Sequence, residues 1–272
     1  MPFGVLVHAL VRRFRRPPGL SASYASYADA SAACGTQGYE EPALVAATVA
    51  STRDYRERLS AGGAATTDTT GLYAILGTSL GWVERAAELH VLDFGGALGA
   101  HYFTAKAVWG EALRVKWHVV ETPAMARAGR EFESDELRFF DRVSDAAAAL
   151  GRVDLVYSSG ALQYLPDPYR SLEELVACGA RTLVLTRLGL AESNAGRIWV
   201  QETQFRENGP AALPEGVADG RARYVVTMAD RARVEALLRA DYEIRLVGHE
   251  PRGEYRFGAE EFGSFAYYGV RR

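Results

Sequence analysis

The chain is poor in the residues that build metal or disulfide frameworks. It has two cysteines, Cys34 and Cys178, far apart in sequence. They form neither a disulfide framework nor a C-x-x-C metal pair, and so low a cysteine use fits a cytoplasmic home. The five histidines, His8, His90, His101, His118 and His249, show no H-x-x-x-H spacing, so no metal is expected. Long hydrophobic runs are missing too. The apolar stretch FGVLVHALV (3–11) is far short of the ~20 residues that span a bilayer. Arg12, Arg13, Arg15 and Arg16 follow that stretch instead of preceding it, and no clear A-x-A cleavage site appears, which argues against a signal peptide. The segment reads as a terminal helix, with weak peripheral contact of residues 3–16 with anionic lipid as its one membrane role. A net charge of −3 supplies no basic field for nucleic acid.

The composition is that of a folded core: 48% of the 272 residues are hydrophobic and 24% charged. The length suits one large domain with an N-terminal extension. Residues 21–38 read as a loop with a short helix. From Glu40 to Leu59, Leu44, Val45, Thr48, Val49, Thr52, Tyr55 and Leu59 recur at helical spacing, and Gly62-Gly63 ends the pattern. A second apolar helix is expected from Leu72 to about Leu89. Residues 1–88 are thus expected to form a helical cap or lid region, and residues 89–272 a Rossmann-like ligand-binding domain.

That domain is organised around residues 90–103, HVLDFGGALGAHYF. An apolar strand ends in an acid, passes a glycine-rich turn and continues as a helix. Such a first βα unit holds a small ligand at the carboxyl end of a parallel sheet. Glycines let the backbone approach the ligand, and the N–H groups of the next helix can donate to it. The dinucleotide pattern G-x-G-x-x-G fits poorly, because Ala97 and Ala100 hold its second and third glycine positions. The pattern acid-x-G-x-G-x-G of an S-adenosylmethionine (SAM) loop fits better: Asp93, Gly95, Ala97, Gly99, with one glycine replaced by alanine. Gly96 completes the turn. Asp93 is placed to brace it or to meet the ammonium of a methionine moiety.

Further units alternate. The strand Val115–Glu121 ends in an acid where a carboxylate accepts from ribose hydroxyls. Thr122 and Pro123 can start the next helix, whose Met125, Gly129 and Phe132 read as core. The strand Leu137–Asp141 places Asp141 near an adenine, or leaves Asp141 or Ser144 to cap the following helix. The strand Val153–Ser159 brings Ser158, Ser159 and Gln163 to the glycine turn across the switch point. Asp167 and Pro168 start a helix striped by Leu172, Leu175 and Val176, with Cys178 near its end reading as a small buried hydrophobe. A fifth strand, Arg181–Thr186, is followed by a long irregular connection, Arg187–Val225, expected to form a substrate rim. Thr227 and Asp230 read as a capping box for a helix striped by Met228, Val234, Leu237 and Leu238. The last two strands are Tyr242–Gly248 and Ser264–Val270. The expected fold is α/β, a seven-stranded and mostly parallel sheet of the class I methyltransferase (Rossmann-like) layout, with its last strand antiparallel.

The stretches VLDFGGALGAHYF (91–103), WHVVETPAMARAG (117–129), ELRFFD (136–141) and SSGALQYLPDPYRSLEEL (158–175) resemble a family of bacterial SAM-dependent methyltransferases met among surface-polysaccharide biosynthesis genes. The resemblance covers nearly the whole chain. It implies SAM as cofactor, S-adenosylhomocysteine (SAH) as product, and cofactor contacts at Asp93, Gly95, Gly96, Gly99, Glu121, Ser158, Ser159 and Gln163. The chain departs from the family after the fifth strand, where Thr186-Arg187-Leu188-Gly189 keeps only the arginine of an Asp-Arg-Thr-Pro-like turn. His101 stands where relatives carry a small residue. Methyl transfer to a hydroxyl needs a base. His101 is the candidate, with His249 a weaker one, and Tyr164, Gln163 and Arg187 would orient the acceptor. A sugar hydroxyl is the acceptor that the resemblance implies. A cofactor-binding protein without catalysis is the alternative.

Overall fold

A computed structural model describes residues 23–35, 38–65, 77–79, 88–112, 114–192, 197–257 and 260–272. The expected terminal helix and most of the expected helix Leu72–Leu89 lie outside the described residues.

Helix α1 (Tyr27–Cys34) starts at Ser26, whose hydroxyl accepts the Asp29 N–H, and α2 (Pro42–Ser60) follows. The alternating part then runs β1 (Leu89–Phe94), α3 (Ala100–Trp109), β2 (Val115–Val120), α4 (Pro123–Gly129), β3 (Leu137–Phe140), α5 (Val143–Leu150), β4 (Leu155–Ser159), α6 (Pro168–Ala177) and β5 (Thr182–Ala191). Next come β6 (Arg197–Gln204), β7 (Arg221–Asp230), α7 (Arg231–Asp241), β8 (Tyr242–Phe257) and β9 (Glu260–Arg271).

The sheet order is β3-β2-β1-β4-β5, all parallel, then β9 antiparallel to β5 and β8 antiparallel to β9. This is the class I methyltransferase layout. The order reverses between β1 and β4, so their carboxyl ends frame the crevice where such sheets take ligands. β4 is buried throughout, as a strand covered on both faces must be. On one face Val91, Trp117, Leu155 and Tyr157 pack with Leu44 and Ala47 of α2 and Ala105 of α3. On the other, Leu92, Val156, Leu183 and Leu185 pack with α5, α6 and α7 through Leu150, Leu172, Leu175 and Val234. Helix α2 therefore shares the core of the sheet; Tyr55 Oη and Thr104 Oγ1, 2.9 Å apart and buried, tie it to α3.

The sequence reading is corrected most after the fifth strand. β5 continues to Ala191, and what was expected to be an irregular rim contains an antiparallel hairpin, β6 with β7. β7 also pairs in parallel with the end of β5 at Leu190 and Ala191. Thr227 and Met228 belong to β7, where they face Ile198 and Arg197 in the ladder, so no capping box forms. Asp230 alone caps α7 by accepting the Arg233 N–H. α1 and the bridge from Tyr24 to Ile198 pack on this hairpin, with Ala30 and Cys34 against Val200 and Val225.

Smaller corrections concern helix starts. Arg142, not Asp141 or Ser144, is the N-cap of α5, and no side chain caps it. Thr122 holds the N-cap position of α4 without a side-chain bond; Glu40 Oε1 instead accepts the Ala124 N–H from across the chain. Asp167 caps α6 as read, accepting the N–H groups of Tyr169 and Arg170. Cys178 is half-buried rather than buried.

Candidate active site at the β1 turn

The turn after β1 is shaped by what a side chain would strike. A Cβ on Gly96 would collide with the Asp93 carboxylate, and one on Gly95 with Ala161 of the β4 side. Gly95 and Gly99 have φ of +73° and +85°, in the region that favours glycine. Ala97 has φ +50°. A side chain there costs ~1 kcal/mol, and the charge-assisted bond from Ala97 N–H to Glu121 Oε1, at 2.9 Å, offsets it.

Asp93 is fully buried. Its Oδ2 accepts Trp117 Nε1–H at 3.0 Å, and His101 Nδ1 lies 3.0 Å from the same atom. Its carboxylate thus forms the floor of the turn, the bracing arrangement. His101 is 7% exposed, and its ring meets that of Tyr157 edge-on, with centroids 5.0 Å apart. A proton on Nδ1, held by Asp93, leaves the Nε2 lone pair free.

Glu121 stands across the turn at the end of β2. Oε1 accepts the Ala97 N–H and Oε2 the Thr122 N–H, each at 2.9 Å. A carboxylate offers about four lone-pair sites, so two remain for a ligand's hydroxyls. Burial raises its pKa above the usual carboxylate value; the two N–H donors oppose this, and the charges of Asp93 and Glu40 add to it. A group so raised is less stable ionised in the fold than in the unfolded chain. Its ionisation therefore costs stability at neutral pH, and that cost disappears as pH falls through its folded pKa toward the ordinary value. Binding of a hydroxyl-bearing ligand runs the other way. Affinity for a nucleoside ligand should fall on acidification while most other carboxylates are still ionised, and calorimetric titration between pH 4.5 and 7.5 measures it.

Ser158 and Ser159, both buried, end β4. Ser159 Oγ accepts from Thr186 Oγ1 at 2.9 Å and from Arg187 Nε at 3.2 Å. Gln163 Nε2 donates to the Arg187 carbonyl at 3.3 Å, and its buried Oε1 has no partner. Asp141 is exposed just past the end of β3. His249 lies on β8, beyond β5 and away from the turn, with its ring against Phe265.

Tyr39 was missed by sequence reading. It sits in a 3₁₀ turn, Gly38–Glu40, stacked on Tyr224 of β7 with centroids 4.4 Å apart and edge-on to Tyr164 at 5.4 Å. Burial holds its hydroxyl well above the usual phenol pKa; the charges of Tyr164, Tyr224 and Glu121 push the same way and that of Arg187 opposes. Tyr39, Tyr164 and Tyr224 thus form one aromatic cluster, with the charges of Glu121 and Arg187 acting on the Tyr39 hydroxyl. Tyr224 is anchored by Thr203 Oγ1 at 2.6 Å and by its bond to Asn208 Oδ1 at 2.9 Å. No periodicity marks Tyr39 or Tyr224; the SAM-loop signal reaches only the floor of the site.

Among the described residues no cluster of His, Cys, Asp or Glu could hold a metal ion, and no helix is long and apolar enough to cross a membrane. No family model matches the chain, and no curated protein matches it. Among solved structures it is similar to the N-terminal domain of EvdMO1 in the presence of SAH and D-fucose, at 17% identity over 81% of this chain and 97% of that one, with a TM-score of 0.45. It is also similar to SAM-bound CalS10, an amino pentose methyltransferase from Micromonospora echinaspora, at 15% identity over 74% and 92%, with a TM-score of 0.45. A SAM-dependent methyltransferase from Clostridium acetobutylicum is similar at 10% identity over 81% and 97%, with a TM-score of 0.44.

Proposed function

We propose that the chain is a SAM-dependent methyltransferase acting on a hydroxyl of a small-molecule acceptor, a sugar or a secondary metabolite. One observation carries this reading: the Glu121 carboxylate is bonded to the glycine turn at the switch point, leaving lone pairs for a ribose beside backbone that a Cβ would block. The residues present fit the cofactor. Glu121 would take the ribose hydroxyls, the turn Gly95–Gly99 the methionyl part, and Asp141 and Ser158 the adenine side. Asp93 would act beneath them, by fixing the turn and His101.

When bound, the sulfonium supplies an electrophilic methyl group. The protein holds an acceptor oxygen in line with it, and positioning of this kind accounts for much of such a rate. His101 Nε2 would take the hydroxyl proton, with Asp93 stabilising the imidazolium. Tyr164, Gln163 and Arg187 would orient the acceptor, with Tyr39 packed on Tyr164.

A second reading, cofactor binding without transfer, is favoured by the depth of His101, which is 7% exposed and already engaged by Asp93. Titration with SAM, SAH and NAD, followed by transfer of labelled methyl to a panel of sugars and nucleotide-linked sugars, separates the readings. Micromolar SAH binding without NAD binding is expected, together with transfer that His101→Gln lowers at unchanged SAH affinity. Absence of SAH binding by the folded protein refutes both readings; binding without transfer to any acceptor selects the second.

A further inference from the structure

Arg187 occupies a strained place in the sheet. The ladder between β5 and β9 slips between Leu185 and Leu188, and Arg187 within that bulge has φ +51°. A non-glycine residue there costs ~1 kcal/mol. The bulge turns the side chain back over β4, where Nε donates to Ser159 Oγ at 3.2 Å and Nη2 to Ser159 O at 3.4 Å. Gly160 makes the room: a Cβ on it would lie 2.8 Å from Nη2.

A guanidinium has five N–H donors. Here the two bonds it makes both go to neutral oxygens of one serine. Among the described residues no carboxylate lies within ion-pairing distance of Arg187, although the chain has more acids than bases. Holding a half-buried cation without a counter-ion is costly, and a strained backbone that keeps it there is a mark of a functional site. β4 lies between β1 and β5, so the Arg187 backbone is two strand spacings of ~4.8 Å from β1, while its guanidinium lies over Ser159 and Gly160 of β4, one residue from the Ala161 that faces Gly95. Tyr164 borders the same space, next to Gln163, whose amide holds the Arg187 carbonyl.

We propose that Arg187 is the anion-binding residue of the acceptor site and takes a carboxylate or phosphate group carried by the acceptor. The acceptor class is then an acidic sugar or a phosphate-linked one. This assignment rests on the methyltransferase reading above for the word acceptor, but the anion site itself is tested without it.

Calorimetric titration of the parent protein, Arg187→Met and Arg187→Gly is the test, with inorganic phosphate, pyrophosphate and glucuronate as anions, each with and without saturating SAH. SAH and methylthioadenosine, which lacks the amino-acid end, are titrated alongside. Glycine accepts φ +51° without strain, so Arg187→Gly keeps the fold while losing the guanidinium, and a melting temperature at or above the parent's confirms it. At least one anion is expected to bind the parent and to lose about 10- to 100-fold in affinity in both variants, the range of a charge-assisted pair, with SAH and methylthioadenosine unchanged. The proposal is overturned if no anion binds the parent, or if the variants bind it equally. It is also overturned if SAH weakens while methylthioadenosine does not, which would give the guanidinium to the cofactor's carboxylate. Failure of SAH and methylthioadenosine to bind the parent would instead strike the methyltransferase reading, and the anion titrations without SAH would still report on Arg187.

Discussion

Glu121→Ala is expected to bind SAH at least about 100-fold more weakly than the parent protein. Two losses combine. A carboxylate accepting from two ribose hydroxyls contributes ~1.5–3 kcal/mol for each bond. The same carboxylate also holds the Ala97 N–H at 2.9 Å, and Ala97 stays at φ +50° with that bond as its anchor. Without it the turn relaxes away from the shape that admits the methionyl part. Glu121→Gln should recover little, because one end of the amide would present N–H to a backbone N–H. Calorimetry reads the affinity, and circular dichroism confirms that the variant is folded. Binding within threefold of the parent would remove Glu121 from the site.

Gly96→Ala is expected to destabilise the fold by about 3 kcal/mol, the upper part of the range for overpacking, and to lower the melting temperature by roughly 6–12 °C for a chain of this size. Gly96 does not have the positive φ of Gly95 and Gly99, so the cost is not conformational. The new methyl would strike the Asp93 carboxylate, which cannot retreat: Trp117 Nε1–H holds it on one side and His101 on the other. Gly35→Ala is the control, a left-handed helix C-cap with φ +66° and ψ +8° and nothing within 4 Å of a Cβ, and should lose only ~1 kcal/mol. Thermal unfolding of the two variants side by side separates collision from strain. Equal losses would mean that Asp93 is not seated against the turn.

The two variants also show why the sequence was readable here and not elsewhere. Asp93, the glycines and Glu121 lie in short segments with strong local signals, an apolar strand ending in an acid and a glycine turn, and the parallel order follows from their alternation. Asp167 before Pro168 is equally local. The β6–β7 hairpin has no such mark. Its strands are joined by a loop with no two-residue turn signal, and β6 buries little, so residues 197–230 resemble a polar connection. Thr227 and Asp230 carry capping-box spacing, but pairing with Ile198 and burial of Val225 and Val226 hold the chain extended through Asp230, a tertiary override of a local pattern. Tyr39 was invisible for a related reason: its place depends on Glu40 reaching Ala124 and on a ring contributed by β7, far along the chain.

The position of β9 has a consequence for how the chain reaches this state. β9 lies between β5 and β8, yet it follows both in sequence. Thr182 waits for Val270, and Leu183 for Gly269. Until β9 arrives, the apolar run Leu183-Val184-Leu185 offers an open edge of the kind that other chains can join. Such distant pairings form late and slowly. Closure by β9 is thus the vulnerable interval in folding, when association with a second unfinished chain competes with completion of the sheet.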